Sequence, residues 1–221
     1  MGPEFQNRTI MDFRNVLSGG GARSNLFEVI LNFPPGLGLD NLSATNKFRM
    51  LVKSAQLPGS TIGTINIPFR GRNLKVAGDR TFDPWTVTVI NDGDFTIRAA
   101  FERWMNYINR HGDNAGIINP ASYQANMDVL QLSRSRTDNN FTSGQINDVA
   151  DANIRASVGD RYGVLRRYRF FGAYPSDLAP IDLSYDTPDD IQNFQVTFQV
   201  QYWDVVSATN QTPTSETSII G

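Results

Sequence analysis

Residues 56–109 read QLPGSTIGTINIPFRGRNLKVAGDRTFDPWTVTVINDGDFTIRAAFERWMNYIN, and this stretch decides the fold. Apolar and polar residues alternate in TIGTINIPF at 61–69, RGR at 70–72 suits a tight turn, and residues 73–76 run back. A glycine between two such runs predicts a β-hairpin. Because its apolar content is thin and an isolated hairpin is marginal in water, we expect this arm to lie against a neighbouring subunit.

The rest of this stretch predicts a strand and a helix. In WTVTV at 85–89, aromatic and β-branched residues alternate with Thr, which is typical of a half-buried strand. The period becomes helical over 95–110, with Asp94 placed as the N-cap and with His111 and Gly112 ending the helix. The apolar stripe of this helix is expected to pack in the core, and it comprises Ile97, Phe101, Trp104, Met105 and Ile108.

The flanking segments predict more strands. They lie at 25–33, 47–56, 127–133, 162–174, 181–185 and 193–205, with a loop at 175–180. Because no helix alternates regularly with the strands, a parallel sheet is not expected. The predicted fold is therefore mainly β, an antiparallel β-barrel or sandwich with one packed α-helix and a long protruding β-hairpin.

Composition excludes several classes of protein. The 221 residues suffice for one domain with a substantial core, and 40% of them are hydrophobic. The formal net charge of -2 creates no long-range field that would attract nucleic acid. The chain has no Cys, which excludes disulfides and thiolate chemistry. No apolar run approaches the length of a membrane span, so no membrane anchor is expected.

The sequence offers little for catalysis. With one His and no Cys, most catalytic triads and nearly every transition-metal site are excluded. His111 is better explained as a cap on the last carbonyls of the helix. Asp186, Asp189 and Asp190 imitate a glycosidase pair or a Ca²⁺ loop, but their spacing does not match an EF-hand and favours a solvated turn. We therefore expect no enzyme, no cofactor and no metal.

One cluster of cationic and aromatic residues has two interpretations. It comprises Arg166, Arg167 and Arg169 with Tyr162, Tyr168 and Phe170. Such a strand is typical of sheets that bind single-stranded nucleic acid. The alternative is that the Arg side chains pair with acids across subunit contacts while the aromatic rings fill the core. The negative net charge of the chain favours this alternative.

Several segments resemble the tail-tube protein of contractile-tailed bacteriophages. In chain order they are LPGSTIG at 57–63, IPFRGR at 67–72, AGDRTF at 77–82, Trp85, FERWM at 101–105, FFGAYP at 170–175, PIDLSYD at 180–186 and FQVTFQVQYW at 194–203. The resemblance covers most of residues 25–204 in one consistent order. It therefore identifies the chain as similar to this family over nearly its whole length.

The resemblance implies a structural subunit of a virion tail. Six copies would form a ring around a central channel, and stacked rings would form a tube that conducts DNA during ejection. The implied partners are further copies of the chain, a sheath protein, a baseplate tube initiator, a tape-measure protein and, transiently, double-stranded DNA. Assembly is expected in the host cytoplasm. The alternatives are a tube subunit of a related contractile injection system, a baseplate tube initiator, or, in a different class, a β-sandwich binding module or a minor hydrolase.

Two surfaces follow from this reading. The hairpin is expected to lap onto the adjacent ring by strand addition, with contacts from Ile62, Ile65, Ile67, Phe69, Arg70, Arg72, Leu74 and Lys75. The final strand has an uncharged face, and we expect it to line the channel through Gln195, Thr197, Gln199 and Gln201. Neutral amides trap phosphate poorly, because only fixed cations displace condensed counterions. Such a face is also the ordinary outward side of a half-buried strand.

The predicted organisation has three parts. Residues 1–24 form a flexible N-terminal arm, of which residues 1–10 could be a tag remnant. Residues 25–206 form the β domain, with a polar insertion at 137–161 that departs from shorter relatives and is expected on the outside of the tube. Residues 207–221 form a C-terminal tail.

Overall fold

The computed structural model of the chain describes residues 9–17, 21–39, 41–134, 163–185 and 191–206. The chain divides into two compact units, a main unit of residues 28–130 and 166–221 and a small unit of residues 1–27 and 131–165. The helices are α1 (Ile10–Val16), α2 (Asn41–Leu51) and α3 (Thr96–Ile108). The strands are β1 (Phe27–Leu31), β2 (Val52–Ala55), β3 (Ser60–Phe69), β4 (Arg72–Phe82), β5 (Trp85–Ile90), β6 (Ala125–Leu132), β7 (Val164–Leu178), β8 (Asn193–Gln199) and β9 (Tyr202–Val206).

The strands form one large sheet and one separate hairpin. The large sheet has the order β1-β6-β7-β8-β5-β2, and β9 pairs with β7 beside this path. Within the described residues, strands β3 and β4 pair only with each other. The paired strands β2–β5, β5–β8 and β7–β8 are antiparallel. The prediction of a mainly β, antiparallel fold with a protruding hairpin is confirmed, whereas the described residues contain three α-helices and not the one that was predicted.

Helix α3 supplies the centre of the main core. Its buried side chains are Ile97, Ala100, Phe101 and Trp104. The Phe101 ring lies 5.8 Å from the Phe198 ring of β8, and the Trp104 indole N–H donates to the Tyr123 carbonyl oxygen at 2.8 Å. This aromatic packing and the satisfied indole explain why a helix of this period forms here. The predicted burial is confirmed for three residues of the apolar stripe, Ile97, Phe101 and Trp104.

The ends of α3 differ from prediction. The N-cap is Phe95, which has a left-handed φ of 53° and makes no side-chain cap, whereas Asp94 was expected there. The Asp94 carboxylate lies 3.5 Å from the Lys47 ammonium and makes no cap on the helix. At the other end the helix stops at Ile108, and the backbone N–H of His111 donates to Asn106 Oδ1 at 3.1 Å.

The predicted strand at 47–56 is wrong for its first half, because α2 continues to Leu51 before β2 begins. The buried residues Ala44, Thr45 and Phe48 lie on one side of that helix. The Thr45 hydroxyl donates to the Leu31 carbonyl oxygen at 2.9 Å and attaches the helix to β1. An apolar run this short fits either period, and packing decides between them.

The predicted final strand at 193–205 is two strands, β8 and β9, separated at 200–201. Strand β7 explains the break, since its first half pairs with β9 and its second half with β8. Gly172 (φ 61°) lies between the halves, and the Gln201 backbone N–H donates to the Phe171 carbonyl oxygen at 3.1 Å. Strand β7 also runs through most of the predicted loop at 175–180, and residues 181–185 form no strand.

The small unit contains helix α1, which the sequence did not predict within residues 1–24. Thr9 and Asp12 form a capping box at its start, and hydrogen bonds from Thr9 hold the pKa of the Asp12 carboxyl below its ordinary value. The Gln131 amide donates to the carbonyl oxygens of Arg23 and Leu26. The predicted insertion and C-terminal tail lie outside the described residues. The predicted domain boundaries therefore stay predictions.

Candidate assembly and channel surfaces

The arm, defined as residues 60–82, is a twisted β-hairpin with a two-residue turn. Arg70 and Gly71 both have positive φ values, 46° and 79°, as a type I′ turn requires. The pairing runs from Phe69 opposite Arg72 to Ser60 opposite Phe82, with an irregularity between Ile62 and Thr64. The Arg70 guanidinium lies 5.4 Å from the centre of the Phe69 ring. The hairpin is longer than the sequence indicated, because β4 continues to Phe82.

The arm has one apolar face that is exposed in the part of the chain that the structure describes. Opposed residues share a face and successive residues alternate, so the pairs Ile65–Val76 and Ile67–Leu74 lie on one side with Phe69. We call this set the apolar arm face, and its members are 42% to 66% exposed: Ile65, Ile67, Phe69, Leu74 and Val76. The opposite side carries Asn66 paired with Lys75.

The predicted arm contacts are therefore divided between two faces. Ile62, by alternation along β3, lies on the side of Asn66 and Lys75. Arg72 lies beside the apolar arm face as the partner of Phe69. Arg70 is in the turn. The separation of Ile62 from Ile65 and Ile67 follows from alternation along β3 alone. The residues of β4 that join each face depend on the register between the strands.

The base of the arm is held by two tryptophans. The Trp85 indole N–H donates to the Gln56 carbonyl oxygen at 2.7 Å, just before the arm begins. The Trp203 indole N–H donates to the Gly59 carbonyl oxygen at 3.0 Å, and its ring packs edge-on against Phe82 with centres 6.2 Å apart. The arm therefore leaves the main unit from a packed base while its outer length is exposed.

The uncharged face predicted for the last strand extends over neighbouring strands. Thr197 pairs with Thr86 of β5, and their hydroxyl oxygens lie 3.2 Å apart. Gln195 pairs with Thr88, and Gln199 pairs with Tyr174 of β7. The buried sides of β5 and β8 carry the apolar residues, so these polar residues share the outer side. The result is a polar sheet face built from three strands.

Two details of this polar sheet face differ from the prediction. Gln201 does not continue it, because the chain leaves β8 before Gln201 and bonds to Phe171 there. Asp177, the partner of Thr197 on β7, adds one carboxylate. Thr86, Thr88 and Asp177 were missed, although the alternating Thr residues of β5 were a visible signal.

Two of the three Arg residues in the Arg-rich strand, Arg167 and Arg169, are paired with an acid and do not form a nucleic-acid surface. Arg167 donates to both oxygens of Asp128, at 3.1 and 2.9 Å, and Arg169 donates to Asp128 Oδ1 at 3.0 Å. Asp128 and Arg167 are buried. The preferred pairing with acids is thus satisfied within one chain, and the expectation of a pairing across subunits is wrong for these two residues.

The other members of that cluster are placed separately. Phe170 is buried, as predicted for a core residue, and the Arg166 guanidinium lies 5.4 Å from the centre of the Tyr168 ring. Tyr162 and the predicted carboxylate cluster at Asp186, Asp189 and Asp190 lie outside the described residues. In the part of the chain that the structure describes, no group of three acidic or histidine side chains could hold a metal ion. No helix there is long and apolar enough to cross a membrane.

These features define a structural β protein whose conspicuous surfaces are an exposed arm and a polar sheet face. The phage tail tube protein family matches residues 22–206, and the chain belongs to this family. It is a structural protein of the phage tail and not an enzyme.

Individual relatives agree with this assignment. The chain is 29% identical over 187 residues to tail tube protein gp19 of Enterobacteria phage T4, covering 85% of this chain and 93% of that protein. It is 26% identical over 204 residues to the tail tube protein of Serratia phage KSP90, covering 90% and 97% respectively.

Solved structures share the fold at low sequence identity. A chain from the baseplate of the anti-feeding prophage aligns with a TM-score of 0.53 at 12% identity, covering 86% of this chain and 98% of its own. A chain from the sheath/tube terminator of the extracellular contractile injection system PVC aligns with a TM-score of 0.53 at 13% identity, covering 85% and 97%. These structural similarities support the fold described above.

Proposed function

We propose that the chain is the repeating subunit of a tail tube in a contractile phage tail. Six copies form a ring, their sheets join around a channel, and the rings stack. Among the strands that the structure describes, β1 and β2 are the edges of the large sheet, and we assign them to pairing between copies. A heterologous contact that does not close on itself generates an open stack of this kind.

The uncovered arm is the observation that carries this proposal. Its apolar arm face is large for a hairpin that no other strand of the described residues pairs with. The outer edges of β3 and β4 also leave backbone N–H and C=O groups for a further strand. The arm therefore laps onto an adjacent ring, and the residues named as contacts act there from both faces and from the turn.

Deletion of residues 65–75 tests the role of the arm. The Trp85 and Trp203 bonds lie outside the deletion, so the shortened chain should keep its fold. We expect circular dichroism and thermal unfolding close to those of the full chain, with no tubes in electron micrographs. Normal tube formation by the shortened chain would contradict the proposal.

The polar sheet face is proposed to line the channel. Thr86, Thr88, Gln195, Thr197 and Gln199 offer hydroxyl and amide groups without positive charge. DNA passing such a surface meets no fixed cation that would release its counterions and hold it. Asp177 adds negative charge, which also disfavours phosphate binding.

A Gln199→Lys variant tests this assignment, since each ring would acquire six cations facing the bore. We expect slower DNA ejection, and the slowing should diminish as salt concentration rises. Ala99→Lys is the matched control, because it adds the same charge to the exposed side of α3. Equal ejection rates in the two variants would exclude this face as the channel lining.

The proposed partners are a sheath protein, a baseplate tube initiator, a tape-measure protein and, transiently, double-stranded DNA. Support comes from the two structural neighbours, whose chains belong to a baseplate and to a sheath/tube terminator. Assembly takes place in the host cytoplasm and places the subunit in the virion. Co-sedimentation of purified sheath protein with assembled tubes tests the first partner. Tubes that sediment without sheath protein would count against it.

A further inference from the structure

The register of the main sheet places two exposed apolar surfaces at opposite ends of the same strands. Trp85 opposes Phe198 at one end of the β5–β8 pair, and Ile90 opposes Asn193 at the other. The arm leaves from the first end, where Trp85 bonds to Gln56. Six residues of β5 separate the two ends, which corresponds to about 20 Å.

A second apolar surface lies at the Ile90 end. Helix α2 ends there, since Val52 of β2 opposes Val89. The segment that enters β8 is also there, because the Asn91 backbone N–H donates to the Gln192 carbonyl oxygen at 2.9 Å. The segments at this end carry five apolar side chains that are each at least 47% exposed, and we call this set the distal patch: Met50, Phe95, Leu183, Tyr185 and Ile191. An open groove of about 550 Å³ lies between residues 180–185 and 191–193.

The charges of the two surfaces are opposite. Along its exposed length, the arm carries the cations Arg70, Arg72, Lys75 and Arg80 and the single acid Asp79. At the Ile90 end, the carboxylates of Asp92, Asp94 and Asp182 outnumber the ammonium groups of Lys47 and Lys53, and Lys47 pairs with Asp92 and Asp94. Opposite charge around two apolar surfaces favours one orientation of contact and opposes the contact of like ends.

We propose that the distal patch of one copy receives the apolar arm face of the next copy. This inference rests on the proposed tube, and it names the receiving surface and the direction of stacking. A subunit with a donor at one end and an acceptor at the other adds copies head to tail without closure. The contact removes two exposed apolar surfaces from water, which is the main driving force for such an association.

Paired cysteines test the contact directly, since the chain has no Cys of its own. The test variant combines Ile67→Cys with Leu183→Cys, and the control combines Asn66→Cys with Leu183→Cys. Ile67 belongs to the apolar arm face, whereas its neighbour Asn66 points to the other side. After treatment of assembled tubes with a short bis-maleimide, we expect a ladder of covalent multimers from the first variant and mainly monomer from the control.

The outcomes separate this inference from the proposed function. If tubes form and Ile67→Cys with Leu183→Cys gives no ladder, or if the control gives the same ladder, the distal patch is not the receiving surface. If the unmodified chain forms no tubes, the proposed function fails instead.

A second measurement applies if the cysteine variants do not assemble. Leu183→Lys places a charge on the distal patch. The control, Ile118→Lys, places the same charge at a highly exposed residue outside both surfaces. We expect soluble, folded subunits from both variants, with tubes lost only in Leu183→Lys. Equal behaviour of the two variants would overturn the inference.

Discussion

The arm and the β5–α3 segment that follows it are built from similar residues, yet they have opposite environments. Ile67 and Phe69 of the arm are about half to two-thirds exposed, whereas Val87 and Phe101 are fully buried. Both segments show clear apolar periodicity. The difference is that β5 and α3 pack against other elements of their own chain, whereas β3 and β4, among the strands that the structure describes, pair only with each other.

This difference teaches that periodicity identifies the face to be buried but not the molecule that buries it. A hairpin alone is marginal in water, and the main unit stabilises only the base of this one. The rest of its apolar surface is the part that the proposed contact with another copy would bury. Substitutions in the two segments should therefore affect different properties, folding in one and assembly in the other.

The largest expected effect is the difference in stability between alanine variants of two phenylalanines, Phe101 and Phe69. Phe101→Ala should lower the free energy of unfolding by about 3 to 5 kcal/mol, because it opens a cavity among packed aromatic rings. Phe69→Ala should change it by no more than about 0.5 kcal/mol, because the ring is exposed on the arm. Urea unfolding of unassembled subunits measures both values, and electron microscopy should show tubes lost in Phe69→Ala. Similar losses of stability in the two variants would remove the distinction between the segments.

A smaller effect on the free energy of unfolding is expected from alanine substitutions at two glycines, Gly172 and Gly71, that both have a left-handed backbone conformation. Gly172→Ala should cost about 2 to 3 kcal/mol, because the conformational penalty is joined by a collision with Gln201. A Cβ at Gly172 would lie 2.6 Å from Gln201 Cγ. Gly71→Ala carries the conformational penalty alone, since nothing lies within 4 Å of its added Cβ. Thermal unfolding should therefore distinguish them, and a larger shift for Gly71→Ala would contradict the packing described at the bend of β7.

The smallest expected effect is a dependence of stability on pH that arises from Glu28 in the main unit. Burial raises the pKa of the Glu28 carboxyl above its ordinary value of 4.5, although Arg49 beside it acts in the opposite direction. A raised pKa means that the folded state binds the proton more tightly. The stability due to this group is therefore present below pH 4.5 and is lost as pH rises through the raised pKa.

Urea unfolding at a series of pH values measures this dependence. The decline above pH 4.5 should be weaker in Glu28→Gln and unchanged by deletion of residues 65–75. If the decline disappears when the arm is deleted, the titrating group lies in the arm and the prediction for Glu28 is wrong.

Much of the fold could be predicted because its signals are local. The arm, β5 and α3 each have enough periodic residues to specify their type. The wrong elements lie where a distant strand decides the outcome. Residues 47–51 are helical because Phe48 packs among aromatic rings, and β8 and β9 separate at 200–201 because β7 changes partners at Gly172.

The candidate surfaces were predictable in part for the same reason. The arm contacts and Gln195, Thr197 and Gln199 follow from alternation within one strand. The contribution of Asp177 and the exclusion of Gln201 require knowledge of which strands are neighbours. The placement of Leu74 and Val76 beside Ile67 and Ile65 requires the register of the hairpin, and the irregularity near Thr64 is not visible in the sequence.

The two indole hydrogen bonds at the base of the arm have a consequence for the kinetics of polymer growth. With Gln56 and Gly59 held by Trp85 and Trp203, the arm departs from a fixed point in a preset direction. In the proposed tube, an incoming subunit would therefore lose less backbone entropy on capture than it would with a loose tether. The two tryptophans would in this way raise the rate of elongation from the base of the arm.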